Sequence, residues 1–136
     1  MKAMATTSER WPLARSEDVV IFRQAVRRVA MDVGLRLIAQ TKLATAASEL
    51  ARNAIEHATG GNGLIEVMET SMRRGVRVIV SDQGGGIDDI GKAMQDGYTS
   101  GRGMGLGLGG AKRLSDAFSI DTRPGEGTTI TIEFWS

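Results

Sequence analysis

At 136 residues, the chain is sized for one domain with a real core and is too short for two comfortable ones. Its 17 basic and 16 acidic residues nearly cancel, and with no block of like charge the composition points away from nucleic acid and from an anionic membrane surface. With no cysteine and with His57 as its single histidine, the chain excludes disulfides, thiolate metal sites, a cysteine nucleophile and a Ser/His/Asp triad built on another histidine. No apolar run approaches the roughly 20 residues of a membrane span. The first residues lack the apolar core of a signal peptide, so the cytoplasm is the expected compartment. Glycine is the outlier, with 18 residues that cluster where the chain must bend sharply or approach a ligand closely.

In chain order, residues 1–9 are polar and unpatterned and are expected to be a loose end, with residues 10–136 forming the single domain. Residues 10–14 suit a short edge strand, where Pro12 is tolerated. Ser16 is placed to cap a helix whose Val19, Phe22, Val26, Val29, Ala30 and Val33 form an apolar stripe, with Asp18 in its first turn and Gly34 past its end. Arg23, Arg27 and Arg28 on its other side read as a solvated face. A second helix is expected over residues 41–58, where Leu43, Ala47, Leu50, Ala54 and Ala58 recur at helical spacing. Glu49 and Asn53 are four residues apart, so a carboxylate and an amide project together from one side of that helix. Asparagine competes with the backbone for hydrogen bonds and is a poor choice inside a helix, which points to a use for it beyond helix stability. Seen alone, the pair is equally what a solvated face with Arg52 and Glu56 presents.

A breaker run at residues 60–63 precedes a strand at 64–71, a hairpin turn at 73–75 and a second strand at 76–82 that stops at Asp82. A short helix is expected near residues 88–94, then a glycine-rich loop at 97–107 leading into a helix that ends near Phe118. Strands at residues 119–122 and 128–135, joined by a glycine turn, close the chain, with Ile130, Ile132 and Phe134 facing the core. Helices and antiparallel hairpins in this order predict an α+β domain with a sheet covered on one face by helices.

Three glycine-bearing motifs fall at element ends, where sites usually sit. Asp82-x-Gly84-x-Gly86 puts a carboxylate at a strand end and removes two side chains beside it, so a flat ligand can press on the backbone while the carboxylate accepts from an amine. An aspartate turn gives the same pattern without a ligand. The run from Gly101 to Gly110 offers backbone N–H groups and a positive helix end, a cradle for phosphates to which Arg102 adds a charge-assisted contact. It is neither a Walker loop nor a dinucleotide loop, since no Gly-Lys-Ser/Thr follows and no parallel strand unit precedes it. Gly125-Glu126-Gly127-Thr128 brings a hydroxyl onto the start of the last core strand. Each motif is weak by itself, and the ordered set is strong.

These residues resemble the ATPase family shared by gyrase, the heat-shock chaperone of ninety kilodaltons, histidine kinases and MutL, over nearly the whole chain from Ser16 onward. More narrowly, SELARN at 48–53, SDQGGGIDDI at 81–90, the MQDGYTSGRGMGLGLGGAKRL stretch and the closing GEGTTI resemble the bacterial switch kinases of the RsbT type, grouped with the anti-sigma-factor serine kinases. The resemblance implies a Bergerat-type ATP-binding fold, a two-layer sandwich of a mixed, largely antiparallel sheet with helices on one face, holding ATP and one Mg²⁺. It implies that Asn53 ligands Mg²⁺, Asp82 meets the adenine amino group and Gly84 and Gly86 line the base pocket. It further implies that Gly103, Gly105 and Gly107 wrap the phosphates and that Thr128 assists at the adenine. Glu49 matches the family's general base, one turn from the metal ligand. The implied partners are a STAS-type antagonist, phosphorylated on serine, and a PP2C-type phosphatase, in a stress partner-switching pathway. Direct sequestration of a sigma subunit, or nucleotide sensing without transfer, are the alternatives. Gly85 departs from the proline common in relatives, His57 reads as a helix-face residue, and Asp88 and Asp89 read as a helix start rather than a metal site.

Overall fold

The computed structural model describes residues 4–57, 60–84 and 107–136. The described elements are β1 (Met4–Leu13), α1 (Ser16–Val33), α2 (Leu37–His57), β2 (Gly61–Glu69), β3 (Arg74–Asp82), α3 (Gly107–Leu114), β4 (Ala117–Arg123) and β5 (Gly127–Trp135). The expected helix at 88–94, the Gly85 departure, and Gly86, Arg102, Gly103 and Gly105 lie outside the described residues, as do Ala58 and the side chain of His57.

The stripe read on α1 is its buried face, with Val19, Phe22, Val26, Val29, Ala30 and Val33 turned inward and Ala25 joining them. The helix ends where Gly34, at φ 89°, closes the last turn. Its N–H donates to the Met31 carbonyl at 3.0 Å, and that of the buried Leu35 donates to the Ala30 carbonyl at 3.0 Å. This double bond pattern satisfies the carbonyls that a helix end leaves open. The start differs from the expectation that Ser16 caps it. Asp18 reaches back instead, its Oδ2 accepting from the Ala14 N–H at 2.8 Å and the Arg15 N–H at 3.0 Å, and these bonds hold its carboxyl below the ordinary range. A carboxylate in the first turn serves the free amides and the helix dipole together.

Helix α2 is built largely of alanine on its inner side. Leu43, Ala44, Ala46, Ala47, Leu50, Ala51 and Ala54 are buried, and such short side chains let it lie close between α1 and α3, which both pack on it.

The sheet runs β1-β2-β3-β5-β4 with every described neighbour pair antiparallel. β1 starts at Met4 and pairs with β2 to Leu13, so residues 4–9 join the sheet although their polar sequence carries no strand pattern. An edge strand needs no apolar outer face, which is why the pattern is silent there. Arg28 on α1 pins this edge through a 2.7 Å ion pair with Glu9, and that bond holds the Glu9 carboxyl below its ordinary value of 4.5. β4 starts at Ala117, so Phe118 belongs to the sheet and the helix before it stops at Leu114.

Alternate residues Val76, Val78 and Val80 of β3 and Ile130, Ile132 and Phe134 of β5 are buried under the helices. Each such burial stabilises by about 1.5–3 kcal/mol. The opposite face carries Arg77 between Glu133 at 2.7 Å and Glu66 at 3.5 Å. The helices therefore cover one face only, and the architecture is α+β as expected.

Gly63 in β2 leaves room for the fully buried ring of Phe22, and a Cβ there would run into that ring. Gly63→Ala is therefore expected to destabilise the fold by about 1–3 kcal/mol in denaturant unfolding. Adding Phe22→Leu should recover part of that loss, because the clash is with the ring; independent, additive effects of the two changes would refute it.

Candidate active site

One end of the sheet gathers the polar residues singled out above. β3 ends in Asp82, which pairs across the ladder with Gly61 of β2 on one side and Thr128 of β5 on the other. Thr128 pairs in turn with Thr122 of β4. Asp82 and Thr128 continue the buried rows of Val76, Val78, Val80 and of Ile130, Ile132, Phe134, so both side chains turn toward the helices. Asp82 is 9% exposed and Thr128 4%, which is unusual for such groups and requires them to be hydrogen-bonded. Asp82 Oδ1 accepts from the Gly84 N–H at 2.9 Å, and the Thr128 and Thr122 hydroxyls lie 2.8 Å apart. A recess beside this sheet end is lined by Asp82, Gln83, Gly127, Thr128 and Thr129 together with Asp121, Arg123 and Glu126 of the β4–β5 hairpin, so it opens toward the exposed face of β4 and not under the helices.

Gly127 explains why β5 starts where it does. Its φ is 100°, a left-handed conformation that side chains rarely adopt, and a Cβ would strike the Asp82 carbonyl oxygen. The backbone of β5 can thus close on Asp82 only with glycine at this position.

The second group lies between α2 and α3. Glu49, 8% exposed, accepts at Oε2 from the Gly107 N–H at 3.1 Å and at Oε1 from Arg52 Nη1 at 2.7 Å. A carboxylate at the first amide of α3 meets the positive end of that helix. Asn53 is half-buried one turn further along α2, and its amide makes no hydrogen bond among the described residues. So Glu49 and Gly107 are in direct contact and Asp82 and Thr128 are cross-strand neighbours, while Gly84 is bound to Asp82 through its backbone. Two contributors had escaped the sequence reading. Arg52 looked like part of a solvated face, yet at i+3 from Glu49 it is half-buried and ion-paired to it; the spacing was the available signal. Thr122 carried no signal, because its contact depends on the β4–β5 register.

The sequence matches the family described as histidine kinase-, DNA gyrase B- and HSP90-like ATPases over residues 38–136. The chain belongs to this ATPase family. Within it, the chain is 43% identical over 118 residues to the serine/threonine-protein kinase RsbT of Bacillus subtilis strain 168, covering 87% of this chain and 89% of that protein. It is also 28% identical over 126 residues to an anti-sigma F factor of Clostridium beijerinckii, covering 89% and 88% of the two chains. Among solved structures, the RsbU and RsbW domains of Rv1364c from Mycobacterium tuberculosis share the fold at a TM-score of 0.63 and 21% identity, over 94% of this chain and 32% of that one. The chain therefore spans about a third of that structure. The mycobacterial sensor histidine kinase MprB shares the fold at a TM-score of 0.55 and 20% identity, over 95% of this chain and 97% of that one. With its likeness to RsbT, this ATPase-family member falls with the RsbT-type switch kinases.

The donor set at the sheet end fits the base of ATP. Adenine presents an amino donor beside a ring-nitrogen acceptor, and the sheet end sets a carboxylate acceptor beside a hydroxyl that can donate. For a metal, no cluster of three or more carboxylate or histidine groups occurs among the described residues. No helix among the described residues is long and apolar enough to cross a membrane.

Proposed function

We propose that this chain is a cytoplasmic protein serine/threonine kinase that transfers the ATP γ-phosphate to a serine of a STAS-type antagonist in a partner-switching pathway, and that it also engages a PP2C-type phosphatase. The observation that carries the reading is Glu49: a buried carboxylate on α2, in contact with the first amide of α3 and one turn from Asn53. In this assignment Asp82 accepts from the adenine amino group, Thr128 supports the neighbouring ring nitrogen, and Gly84 lines the base pocket. Gly107, with Gly103 and Gly105, cradles the phosphates; Arg102 adds charge there and Gly86 lines the base. Asn53 offers its amide oxygen to Mg²⁺, which when bound would neutralise phosphate charge. Glu49 accepts the proton of the attacking serine hydroxyl as its oxygen bonds to the γ-phosphorus and ADP leaves with the former bridging oxygen.

The test is radiolabelled ATP with Mg²⁺ and a purified STAS-domain antagonist. Label on an antagonist serine is expected, and its absence with every candidate antagonist despite ATP binding would move the chain to a nucleotide-sensing module. The likeness to anti-sigma F factors supports a second reading, direct sequestration of a sigma subunit. Affinity capture separates the two: a PP2C-type phosphatase retained as main partner favours the switch kinase, and a sigma factor favours sequestration.

A further inference from the structure

We propose that Arg52 is a positioning residue for Glu49: carried on the same helix, it fixes one carboxylate oxygen while the other exchanges the first amide of α3 for the hydroxyl of a substrate. The inference rests on the reading of Glu49 as the base, and adds a residue that acts through Glu49 alone.

A glutamate carboxylate sits at the end of several rotatable bonds, so a base needs partners that leave it one orientation. Glu49 has two, and they differ in origin. Oε2 accepts from the Gly107 N–H at 3.1 Å, a group that belongs to α3. Oε1 accepts from Arg52 Nη1 at 2.7 Å, and Arg52 rides on α2 itself, at the i+3 spacing that brings two side chains of one helix together. In the proposed reaction the serine hydroxyl takes the place of the Gly107 N–H on Oε2. Held by that amide alone, the carboxylate would lose its orientation at the step that needs it. The Arg52 bond does not depend on α3, and being charge-assisted it is the stronger of the two.

Burial separates this pair from an ordinary surface bridge. Glu49 is buried and Arg52 half-buried, whereas Glu56, one turn from Arg52 in the other direction, is exposed. Among the described residues Arg52 pairs with the buried carboxylate and not with the exposed one. A bridge in open solvent contributes little because water replaces either partner, but an enclosed carboxylate has no such cheap substitute. The contact is one nitrogen on one oxygen, which an ammonium can also supply.

The experiment compares Arg52→Met, Arg52→Lys and Glu49→Gln in the full chain, using Mg²⁺-ATP and a purified STAS-domain antagonist, beside crystal structures of the nucleotide-free parent and Arg52→Met. Methionine keeps an unbranched stem suited to a helix and removes the charge. Arg52→Met is expected to lower kcat by about 10- to 100-fold, the range of one hydrogen bond to a charged group, with ATP affinity and KM for the antagonist unchanged. Arg52→Lys should recover most of the rate. In nucleotide-free Arg52→Met the Glu49 carboxylate should spread over more than one rotamer, a result that needs no substrate. A Glu49 side chain that keeps its parental orientation in Arg52→Met overturns the positioning role, as does an equal loss of rate in Arg52→Met and Arg52→Lys. A loss that falls on the antagonist KM in place of kcat overturns it too, making Arg52 a docking residue. Transfer by Glu49→Gln at the parental rate overturns the base reading beneath it, whatever Arg52 does.

Discussion

Glu49→Gln is expected to lower kcat for phosphoryl transfer by roughly 100- to 10,000-fold, the span of a lost general base, with ATP binding largely preserved. Glutamine matches glutamate in size and keeps an oxygen to accept from the Gly107 N–H, so the contact between α2 and α3 can persist. It cannot take a proton, and it gives up the ion pair with Arg52. The loss should therefore appear in kcat and not in the nucleotide affinity, the signature of an interaction used in the transition state. Both Glu49 oxygens are engaged, one by a charged guanidinium and one by a neutral amide. A charge-assisted bond is the stronger of the two, so in the proposed reaction Oε2 would be the oxygen released to the hydroxyl while Arg52 keeps hold of Oε1. Single-turnover transfer together with calorimetric ATP binding checks the split. Transfer by Glu49→Gln at more than a tenth of the parental rate would place the base elsewhere.

Much of this arrangement was legible in the chain because it depends on local pattern. The α1 stripe, the alternation of β3 and β5 and the four-residue spacing of Glu49 and Asn53 are consequences of helix and strand periods, and each reappears in the fold. What stayed hidden depends on register or on the third dimension. β1 has a polar stretch from Met4 that pairs because β2 offers an edge, and nothing within those residues announces it. Thr122 acquires its partner only once β4 and β5 align. Arg52 shows how a local rule can be overlooked: its i+3 relation to Glu49 was present in the sequence, but a salt bridge half out of water could not be told from a solvated one without α3 beside it. Ser16 is not the cap because the helix already begins at it, with Arg15 in the extended cap position, and its hydroxyl bonds Glu17 at 3.0 Å.

Asp82→Asn is expected to weaken ATP binding by about 100-fold or more, the cost of replacing a charged acceptor in a buried site with a mismatched group. The variant is nearly isosteric, and its amide oxygen can continue to accept from the Gly84 N–H that now bonds Oδ1 at 2.9 Å. Keeping that bond turns the new NH₂ toward the ligand. Two donors, the asparagine and the adenine amino group, then face each other where a carboxylate had accepted, and Asp82 is too enclosed, at 9% exposure, for water to relieve the conflict cheaply. The same geometry carries a positive expectation: the amide donor suits the carbonyl of hypoxanthine, so the preference for ATP over ITP should fall in Asp82→Asn even as overall affinity drops. Calorimetric titration of both nucleotides reads the two effects separately. A uniform loss for ATP and ITP with reduced thermal stability would mean that Asp82 acts through the Gly84 turn, whereas a changed preference at unchanged stability can arise only if the carboxylate reads the base.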